Sequence, residues 1–195
     1  MSTVKLAKAA LRTEIEKKLA RMTAEERKKQ SEAIQKKLLN LPQYKNAKNI
    51  SVYLSLDSEV NTKPILERIF EDGKCCFVPR YKKAAMQMVE LNGMEDWASL
   101  PVTKWNIKQP SWKDERRDAL ETGLDLVICP GVGFTKEGGR LGHGEGYYDR
   151  CLKAISTSQK SRPYLVALAF KEQIVEELPL EETDVDLDMV LYPDD

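Results

Sequence analysis

The feature of this sequence that most restricts its fold is a concentration of glycine in one short segment. Seven of the ten glycines lie between Gly131 and Gly146, in Gly-Val-Gly-Phe-Thr-Lys-Glu-Gly-Gly-Arg-Leu-Gly-His-Gly-Glu-Gly. Glycine loses more backbone freedom on folding than any other residue, so a folded chain concentrates it where the backbone passes close to another group or takes a positive φ. A single turn needs only one or two glycines, and we therefore favour a loop that binds an anion over a structural turn.

The residues on either side of this segment support an anion site. The apolar stretch at 124–129 has the composition of a buried strand, and the Tyr-Tyr-Asp at 147–149 has that of a helix start. A strand, a glycine loop and a helix N-terminus bring free N–H groups together, and the helix dipole adds partial positive charge. The loop matches neither the Walker A pattern nor the dinucleotide-binding Gly-x-Gly-x-x-Gly, because its last three glycines alternate strictly. P-loop kinases and Rossmann dehydrogenases are therefore disfavoured.

Predicted helices and strands alternate along the rest of the chain. Apolar spacing predicts a helix over about 4–22, and a capping box formed by Thr23 and Glu26 starts a second helix that ends near Asn40. The other predicted elements are strands at 50–56, 75–79, 86–91, 124–129, 164–170 and 189–192, and helices at 62–70 and 147–156. Residues 92–123 are predicted to form a long loop with short helical pieces. The alternation predicts one domain over residues 1–195, an α/β three-layer sandwich with a largely parallel sheet.

Charge and cysteine content disfavour several classes of protein. Lys plus Arg and Asp plus Glu each number 31, so a nucleic-acid partner has little support. The chain has no apolar run of about 18 residues that would cross a membrane, and its N-terminus lacks the pattern of a secretory signal. The four cysteines lack metal-ligand spacing, which favours reduced thiols in the cytoplasm. The single histidine, His143, excludes a His-rich zinc site.

Several polar side chains are predicted at the carboxyl ends of the strands, where open α/β sheets bind ligands. Glu59 suits the N–H groups of a ligand, and equally the cap of a helix. Asp149 suits a metal ion or the positive end of a helix. The alternating Asp184, Asp186 and Asp188 suit Mg²⁺, although a solvated acidic tail would have the same pattern.

Two cations and three aromatic residues are further candidates. Lys8 and Arg12 lie four residues apart on one face of the first predicted helix, and together they could clamp a polyphosphate. Taken alone, such a pair is more often a solvated helix face. Tyr81, Trp105 and Tyr147 could line a flat aromatic pocket or pack in the core. Residue types alone thus indicate an α/β enzyme that uses a nucleotide or a phosphate, and no more.

A set of longer motifs narrows the class of protein that the residue types indicate. The sequence contains Pro-Gly-Val-Gly-Phe, then Arg-Leu-Gly-x-Gly-x-Gly-Tyr-Tyr-Asp at 140–149, and Ala-Leu-Ala-Phe-Lys-Glu-Gln at 167–173. Further motifs are Lys-Ala-Ala-Leu-Arg at 8–12, Phe-Val-Pro-Arg-Tyr at 77–81, Trp-Asn-Ile at 105–107 and a final Asp-x-x-x-Asp. Together they resemble the 5-formyltetrahydrofolate cyclo-ligases, also called methenyltetrahydrofolate synthetases, nearly end to end. The resemblance implies a fold related to ribose-phosphate isomerases and CoA transferases.

The resemblance also implies an activity. It is that of a ligase of one-carbon metabolism, which closes 5-formyltetrahydrofolate to 5,10-methenyltetrahydrofolate with ATP and Mg²⁺ and releases ADP and phosphate. The formyl oxygen would be phosphorylated to an imidate phosphate, and the neighbouring arylamine nitrogen would then close the ring. Catalysis of this kind is mostly positioning and charge neutralisation. We expect a cytoplasmic monomer that takes the folate, polyglutamylated forms included, and that binds neither nucleic acid nor a membrane.

Roles for individual residues follow from the same resemblance. The residues that would hold ATP are Lys8, Arg12, Arg140, Leu141, Gly142, His143, Gly144, Glu145, Gly146, Tyr147 and Tyr148. The residues that would hold the folate are Leu54, Glu59, Tyr81, Trp105 and Tyr147. Asp149 and Asp184 would bind Mg²⁺, with Asp188 nearby, and Arg140 and Tyr147 would be the catalytic residues. Family members often have a bulky basic or aromatic residue where His143 stands, and commonly Lys or Gly where Glu145 stands. An acid in a phosphate-binding loop is unfavourable unless it is turned outward or paired, and we expect Glu145 to face the solvent.

Two other kinds of function remain open on the residues alone. A phosphosugar isomerase or an acyl-transferring enzyme of related fold would need neither ATP nor Mg²⁺. A folate-binding protein without catalysis would bind 5-formyltetrahydrofolate but form no methenyl chromophore. A mixture of the protein with 5-formyltetrahydrofolate, ATP and Mg²⁺ separates these possibilities.

Overall fold

The chain folds into a central sheet with helices packed on both faces. The computed structural model describes residues 3–83, 85–104, 106–179, 181 and 183–194. The helices are α1 (Thr3–Ala20), α2 (Ala24–Asn40), α3 (Pro42–Asn46), α4 (Lys63–Glu71), α5 (Met94–Ser99), α6 (Ala119–Thr122) and α7 (Tyr147–Ser158). The strands are β1 (Asn49–Val52), β2 (Cys75–Lys82), β3 (Ala85–Leu91), β4 (Leu126–Cys129), β5 (Gly133–Phe134), β6 (Arg140–Leu141), β7 (Tyr164–Leu168) and β8 (Met189–Leu191), and a 3₁₀ turn spans Lys171–Gln173.

Over the described ranges, six strands form one sheet in the order β3-β2-β1-β4-β7-β8. β1 pairs in parallel with β2 and β4, and β7 pairs in parallel with β4 and β8. β3 is antiparallel to β2. The carboxyl ends of the parallel strands therefore meet at one edge of the sheet, where ligands bind in folds of this kind.

Alternate side chains of the central strands enter two different cores. In β4, Leu126 and Ile128 belong to the core that α1 to α4 cover, whereas Val127 and Cys129 belong to the core that α7 covers. A strand that is buried on both faces reads as a continuous apolar run, and all of β4 is buried. The predicted α/β fold, with three layers and a largely parallel sheet, is confirmed.

The structure departs from the predicted elements at several places. β1 ends at Val52, before the predicted 56, because the chain turns there towards α4. β2 continues to Lys82, past the predicted Pro79, because its last residues pair with β3. The short helices expected between residues 92 and 123 are present as α5 and α6. Half of the expected capping box forms: the Thr23 hydroxyl accepts the Glu26 N–H at 3.1 Å.

The glycine-rich segment contains a small hairpin that the sequence did not predict. β5 and β6 pair antiparallel, and Gly138 turns between them with a φ of +102°. α1 packs against this hairpin, since a Cβ added at Gly133 would lie 2.5 Å from Ile15 Cδ1. A side chain at that position would force the helix and the hairpin apart, so the glycine permits their close approach.

No helix in the described part of the chain is long and apolar enough to cross a lipid bilayer.

Candidate active site

The second half of the glycine-rich segment forms a loop at the N-terminus of α7. Gly144 has a φ of +110°, and Gly146, which immediately precedes the helix, has a φ of +65°. Residues other than glycine rarely adopt these φ values, so both positions favour glycine. A loop of this shape before a helix of twelve residues directs backbone N–H groups and the positive end of the helix dipole to the same space.

Arg12 of α1 lies against this loop. Its Nε donates to the Gly142 carbonyl oxygen at 2.7 Å, and a Cβ added at Gly144 would lie 3.6 Å from the Arg12 guanidinium carbon. The helix is held in this position by Ile15, which is buried against the hairpin. Arg12, one of the two cations expected to clamp a phosphate, therefore lies beside the glycine loop.

Lys8, one helical turn before Arg12, contacts the acidic segment near the C-terminus instead. Its Nζ donates to Asp184 Oδ2 at 2.7 Å and to Glu181 Oε2 at 3.0 Å. Partial burial would lower the pKa of the Lys8 ammonium, but the hydrogen bonds and charges of the two acids outweigh it and raise that pKa. Lys8 is thus a charged group that neutralises one of the two acids predicted to bind a metal.

Asp149 of α7 is neutralised in a similar way. Its Oδ1 accepts from Arg140 Nη2 at 2.9 Å and from the Val185 N–H at 3.1 Å. The Arg140 side chain is only 4% exposed, and its other terminal nitrogen donates to the Pro130 carbonyl oxygen at 3.3 Å. Because Val185 follows Asp184 directly, the hydrogen bond to Asp149 brings the two predicted metal ligands to neighbouring positions.

Asp149 and Asp184 are the residues that could hold a magnesium ion together with a phosphate ligand. The described residues contain no group of three or more His, Cys, Asp or Glu side chains arranged to hold a metal. Mg²⁺ typically takes only one or two carboxylates in nucleotide sites and completes its shell with phosphate oxygens and water. Asp188 lies elsewhere: its carboxylate accepts the Leu165 N–H at 2.7 Å and pairs with Arg162 at 2.7 Å, at the start of β7.

Two of the predicted aromatic residues meet at the end of β2. The rings of Tyr81 and Tyr147 are edge-to-face, with centroids 5.3 Å apart and an interplanar angle of 64°. The Tyr147 hydroxyl donates to the Lys83 carbonyl oxygen in the turn between β2 and β3. Burial, above all, and the nearby charge of Glu59 raise the pKa of the Tyr81 hydroxyl. The pair forms a fixed aromatic wall beside an acid.

Glu59 connects this wall with the glycine loop. Its Oε2 accepts the Leu56 N–H at 2.8 Å and so holds its own turn. Its Oε1 lies 3.7 Å from His143 Nε2. The Glu59 side chain is 11% exposed and the His143 side chain is 58% exposed. His143 therefore stands where the predicted phosphate loop and the predicted folate residues meet.

The remaining predicted residues differ in what they can contribute. The side chains of Leu141 and Tyr148 are buried in the two cores, so only their backbone groups could face a ligand. Leu54 is half-buried and packs on the core beneath α1 to α4. Glu145 is exposed, as expected. Trp105 lies outside the described residues.

Sequence reasoning missed two residues that organise the site. Glu181, the second acid on Lys8, carries no motif signal beyond an acidic segment. The buried Gln173 donates from Nε2 to the carbonyl oxygens of Gly131 and Val132, at 2.9 and 3.1 Å. These two bonds hold the start of the glycine-rich segment in place. The position of Gln173 in the motif at 167–173 was the available signal.

The fold and this site define a class of protein that has solved examples. A methenyltetrahydrofolate synthetase from Aquifex aeolicus superposes with a TM-score of 0.77 at 29% identity, over 94% of this chain and 88% of the other. A methenyltetrahydrofolate synthetase from Mycoplasma pneumoniae has the same fold, with a TM-score of 0.73 at 22% identity over 96% of this chain and 99% of the other. The architecture is therefore that of the methenyltetrahydrofolate synthetases.

Sequence comparison gives the family. The family model described as the 5-formyltetrahydrofolate cyclo-ligase family matches residues 4–193. The 5-formyltetrahydrofolate cyclo-ligase of Mus musculus is 48% identical, over 98% of this chain and 96% of the relative. A probable 5-formyltetrahydrofolate cyclo-ligase of Caenorhabditis elegans is 39% identical, over 98% and 95%. This chain belongs to the 5-formyltetrahydrofolate cyclo-ligase family and is a ligase enzyme, as the sequence motifs predicted.

Proposed function

We propose that this enzyme converts 5-formyltetrahydrofolate to 5,10-methenyltetrahydrofolate, with ATP as the second substrate and Mg²⁺ as the metal ion of the site. The observation that carries the proposal is the contact of 3.7 Å between His143 and Glu59. It joins the loop suited to phosphates with the acid suited to a pterin ring. Two substrates bound on either side of this contact would meet where their reacting groups must meet.

The glycine loop and α1 form the ATP side of the proposed site. Arg12 lies against the loop at Gly142 and Gly144, where a guanidinium can make bidentate contacts to phosphate oxygens. Lys8 is a second cation one helical turn away, held by Asp184 and Glu181. When ATP binds, the Lys8 ammonium would leave one of these carboxylates and pair with a phosphate group.

Asp149 and Asp184 are the residues that would hold Mg²⁺ on this side. The ion would neutralise charge on the transferred phosphoryl group. In the ligand-free protein Arg140 and Lys8 balance the two carboxylates. Arg140 is nearly buried and keeps Asp149 oriented through one hydrogen bond, so its proposed catalytic contribution is to position that acid.

The aromatic wall and Glu59 form the folate side. Tyr81 and Tyr147 present ring surface on which the flat pterin could pack. Glu59 is a shielded carboxylate with one oxygen free of its own turn, and that oxygen can accept the pterin N–H groups. Leu54 and Trp105 remain proposed folate contacts.

The proposed reaction needs positioned reactants more than a dedicated acid or base. The formyl oxygen attacks the γ-phosphorus of ATP, and the bond from that phosphorus to the ADP oxygen breaks. The arylamine nitrogen then donates its electron pair to the activated formyl carbon and closes the ring, the phosphate leaves with the former formyl oxygen, and the arylamine proton passes to solvent. The loop, Arg12 and the aromatic wall would hold these groups in line.

Location and assembly belong to the same proposal. The four cysteines are free thiols, which supports a reducing compartment such as the cytosol. One Arabidopsis thaliana relative carries the word mitochondrial in its name. We keep the monomeric state as a prediction.

The test is the appearance of the methenyl chromophore. Purified protein should form it from 5-formyltetrahydrofolate when ATP and Mg²⁺ are both present, and omission of either should abolish it. Product without nucleotide would overturn the phosphorylation step. Folate binding without product under any condition would favour the non-catalytic folate-binding protein. Absence of both binding and product would return the choice to the phosphosugar and acyl-transfer enzymes.

A further inference from the structure

Gln109, which belongs to none of the sequence motifs, binds the backbone of Tyr81 in the aromatic wall. Its side-chain Oε1 accepts the Tyr81 N–H at 2.9 Å, and its Nε2 donates to the Tyr81 carbonyl oxygen at 3.0 Å. Both backbone polar groups of one aromatic residue are thus bound by one carboxamide. The two residues are 28 positions apart in the sequence.

The contact replaces a missing strand. β1 pairs with β2 only as far as Phe77, whereas β3 continues to pair on the other side as far as Lys82. In an antiparallel pair, alternate residues point both polar groups away from the partner strand. At Tyr81 the backbone N–H and C=O groups point to the side where β1 no longer pairs with β2. The Gln109 carboxamide supplies one acceptor and one donor there, as a neighbouring peptide would.

The segment that carries Gln109 is itself fixed by backbone hydrogen bonds. The Gln109 N–H donates to the Pro101 carbonyl oxygen at 3.0 Å, and the Thr103 N–H donates to the Ile107 carbonyl oxygen at 2.8 Å. Residues Val102 and Lys108 form an antiparallel bridge between these two bonds. These bonds hold the backbone of the segment, so the Gln109 side chain projects from a fixed position.

We propose that Gln109 is a positioning residue for the folate. Its carboxamide fixes the end of β2, and thereby holds the Tyr81 ring against Tyr147 before the folate arrives. A wall that is ordered in advance saves the entropy of ordering it during binding. This inference rests on the proposed function, because it assigns Tyr81 to the folate.

The chain contains a matched control for the alternative that the contact only adds stability. Gln159 binds Leu124 in the same way: its Oε1 accepts the Leu124 N–H at 2.9 Å, and its Nε2 donates to the Leu124 carbonyl oxygen at 2.8 Å. Leu124 precedes β4, at the opposite edge of the sheet from Tyr81. Gln109→Met and Gln159→Met each remove the same two kinds of hydrogen bond while keeping a side chain of similar length. Gln159→Met also removes a third bond, from Nε2 to the Ser161 carbonyl oxygen, so the control loses at least as much side-chain hydrogen bonding as the test variant.

The experiment compares these two variants with the wild-type enzyme by direct titration of 5-formyltetrahydrofolate and by steady-state kinetics. Gln109→Met should raise the folate Kd and KM about tenfold, the effect of losing about one to two net hydrogen bonds. Its KM for ATP should change by less than about twofold, because Lys8 and Arg12, the cations of the ATP side, are held by the acidic segment and the glycine loop and not by β2. Gln159→Met should leave all three constants within about twofold. Gln109→Glu, which keeps the acceptor and loses the donor, should also weaken folate binding.

A second measurement needs no ligand. In fluorotyrosine-labelled protein, the Tyr81 resonance, assigned with Tyr81→Phe, should shift or broaden in Gln109→Met and stay unchanged in Gln159→Met. Equal folate constants for the two methionine variants would overturn the inference while leaving the function intact. A perturbed Tyr81 resonance with an unchanged folate Kd would overturn it as well. Failure of the wild-type enzyme to bind folate would instead reject the proposed function itself.

Discussion

At the scale of single residues, the loop before α7 distinguishes positions that need glycine from one that does not. Gly144 has a φ of +110°, and a Cβ there would lie 3.6 Å from the Arg12 guanidinium carbon. The conformation, more than the space, excludes a side chain. We predict that Gly144→Ala raises the KM for ATP at least about tenfold, since a strain of roughly 1–3 kcal/mol must be relieved by moving the loop. An unchanged KM would show that the loop does not hold the nucleotide.

Glu145, the next residue, is exposed and should tolerate change. Its charge would lie beside the proposed polyphosphate but in solvent, where charges are screened within about 8 Å at physiological salt. We predict that Glu145→Lys keeps turnover and lowers the KM for ATP about twofold at low ionic strength, with the gain shrinking as salt is added. A collapse of turnover in a folded variant would assign Glu145 a specific contact and refute its placement in solvent.

Asp149 on α7 gives a further prediction at this scale, and Asp188 in the acidic segment near the C-terminus provides the control. Asp149→Asn keeps the shape but removes the charge that Arg140 balances, so the concentration of Mg²⁺ for half-maximal activity should rise about tenfold or more. The free energy of unfolding should fall by about 1–3 kcal/mol, because Arg140 is buried. Asp188→Asn should leave the magnesium titration unchanged, since Asp188 is bound to β7. Equal titrations for both variants would remove Asp149 from the metal site.

At the scale of elements, α1 carries both cations of the proposed ATP side, Arg12 against the glycine loop and Lys8 against the acidic segment. Its Ile15 is buried against the hairpin, which fixes the position of Arg12 one turn earlier. We predict that Lys8→Ala combined with Arg12→Ala raises the Kd for ATP at least about tenfold and leaves the folate Kd within about twofold. Nucleotide and folate titrations on the same preparation check this. Equal losses for both ligands would mean that α1 supports the whole site rather than its ATP side.

The elements also show what the sequence could and could not predict. The amphipathic spacing of α1 and the apolar run of β4 depend on neighbours in the chain, so periodicity found them. β1 was predicted four residues too long, because Leu54 and Leu56 continue the alternation although no strand pairs with them. The contact of Lys8 with Asp184 joins residues 176 positions apart, and the contact of Gln109 with Tyr81 depends on where β1 stops. Neither has a local signal.

At the scale of the whole molecule, the sheet belongs to both cores at once. Strands β2, β4 and β7 each contribute alternate residues to the core beneath α1 to α4 and to the core beneath α7, as Ile128 and Val127 do in β4. Loss of either layer of helices would expose one face of every central strand. The two cores should therefore unfold together, and the ATP side and the folate side of the site should remain aligned because they share one sheet.

This coupling predicts a single cooperative transition over the whole chain. Ile34 of α2 and Ile155 of α7 are both fully buried, on opposite faces of the sheet. Ile34→Ala and Ile155→Ala should each lower the free energy of unfolding by about 2–5 kcal/mol, and in each variant the transitions followed by circular dichroism and by tryptophan fluorescence should coincide. The exposed Lys29→Ala should change it by less than about 0.5 kcal/mol. Two separate transitions, or a variant that shifts only one probe, would divide residues 1–195 into units that fold independently and contradict the prediction of one domain.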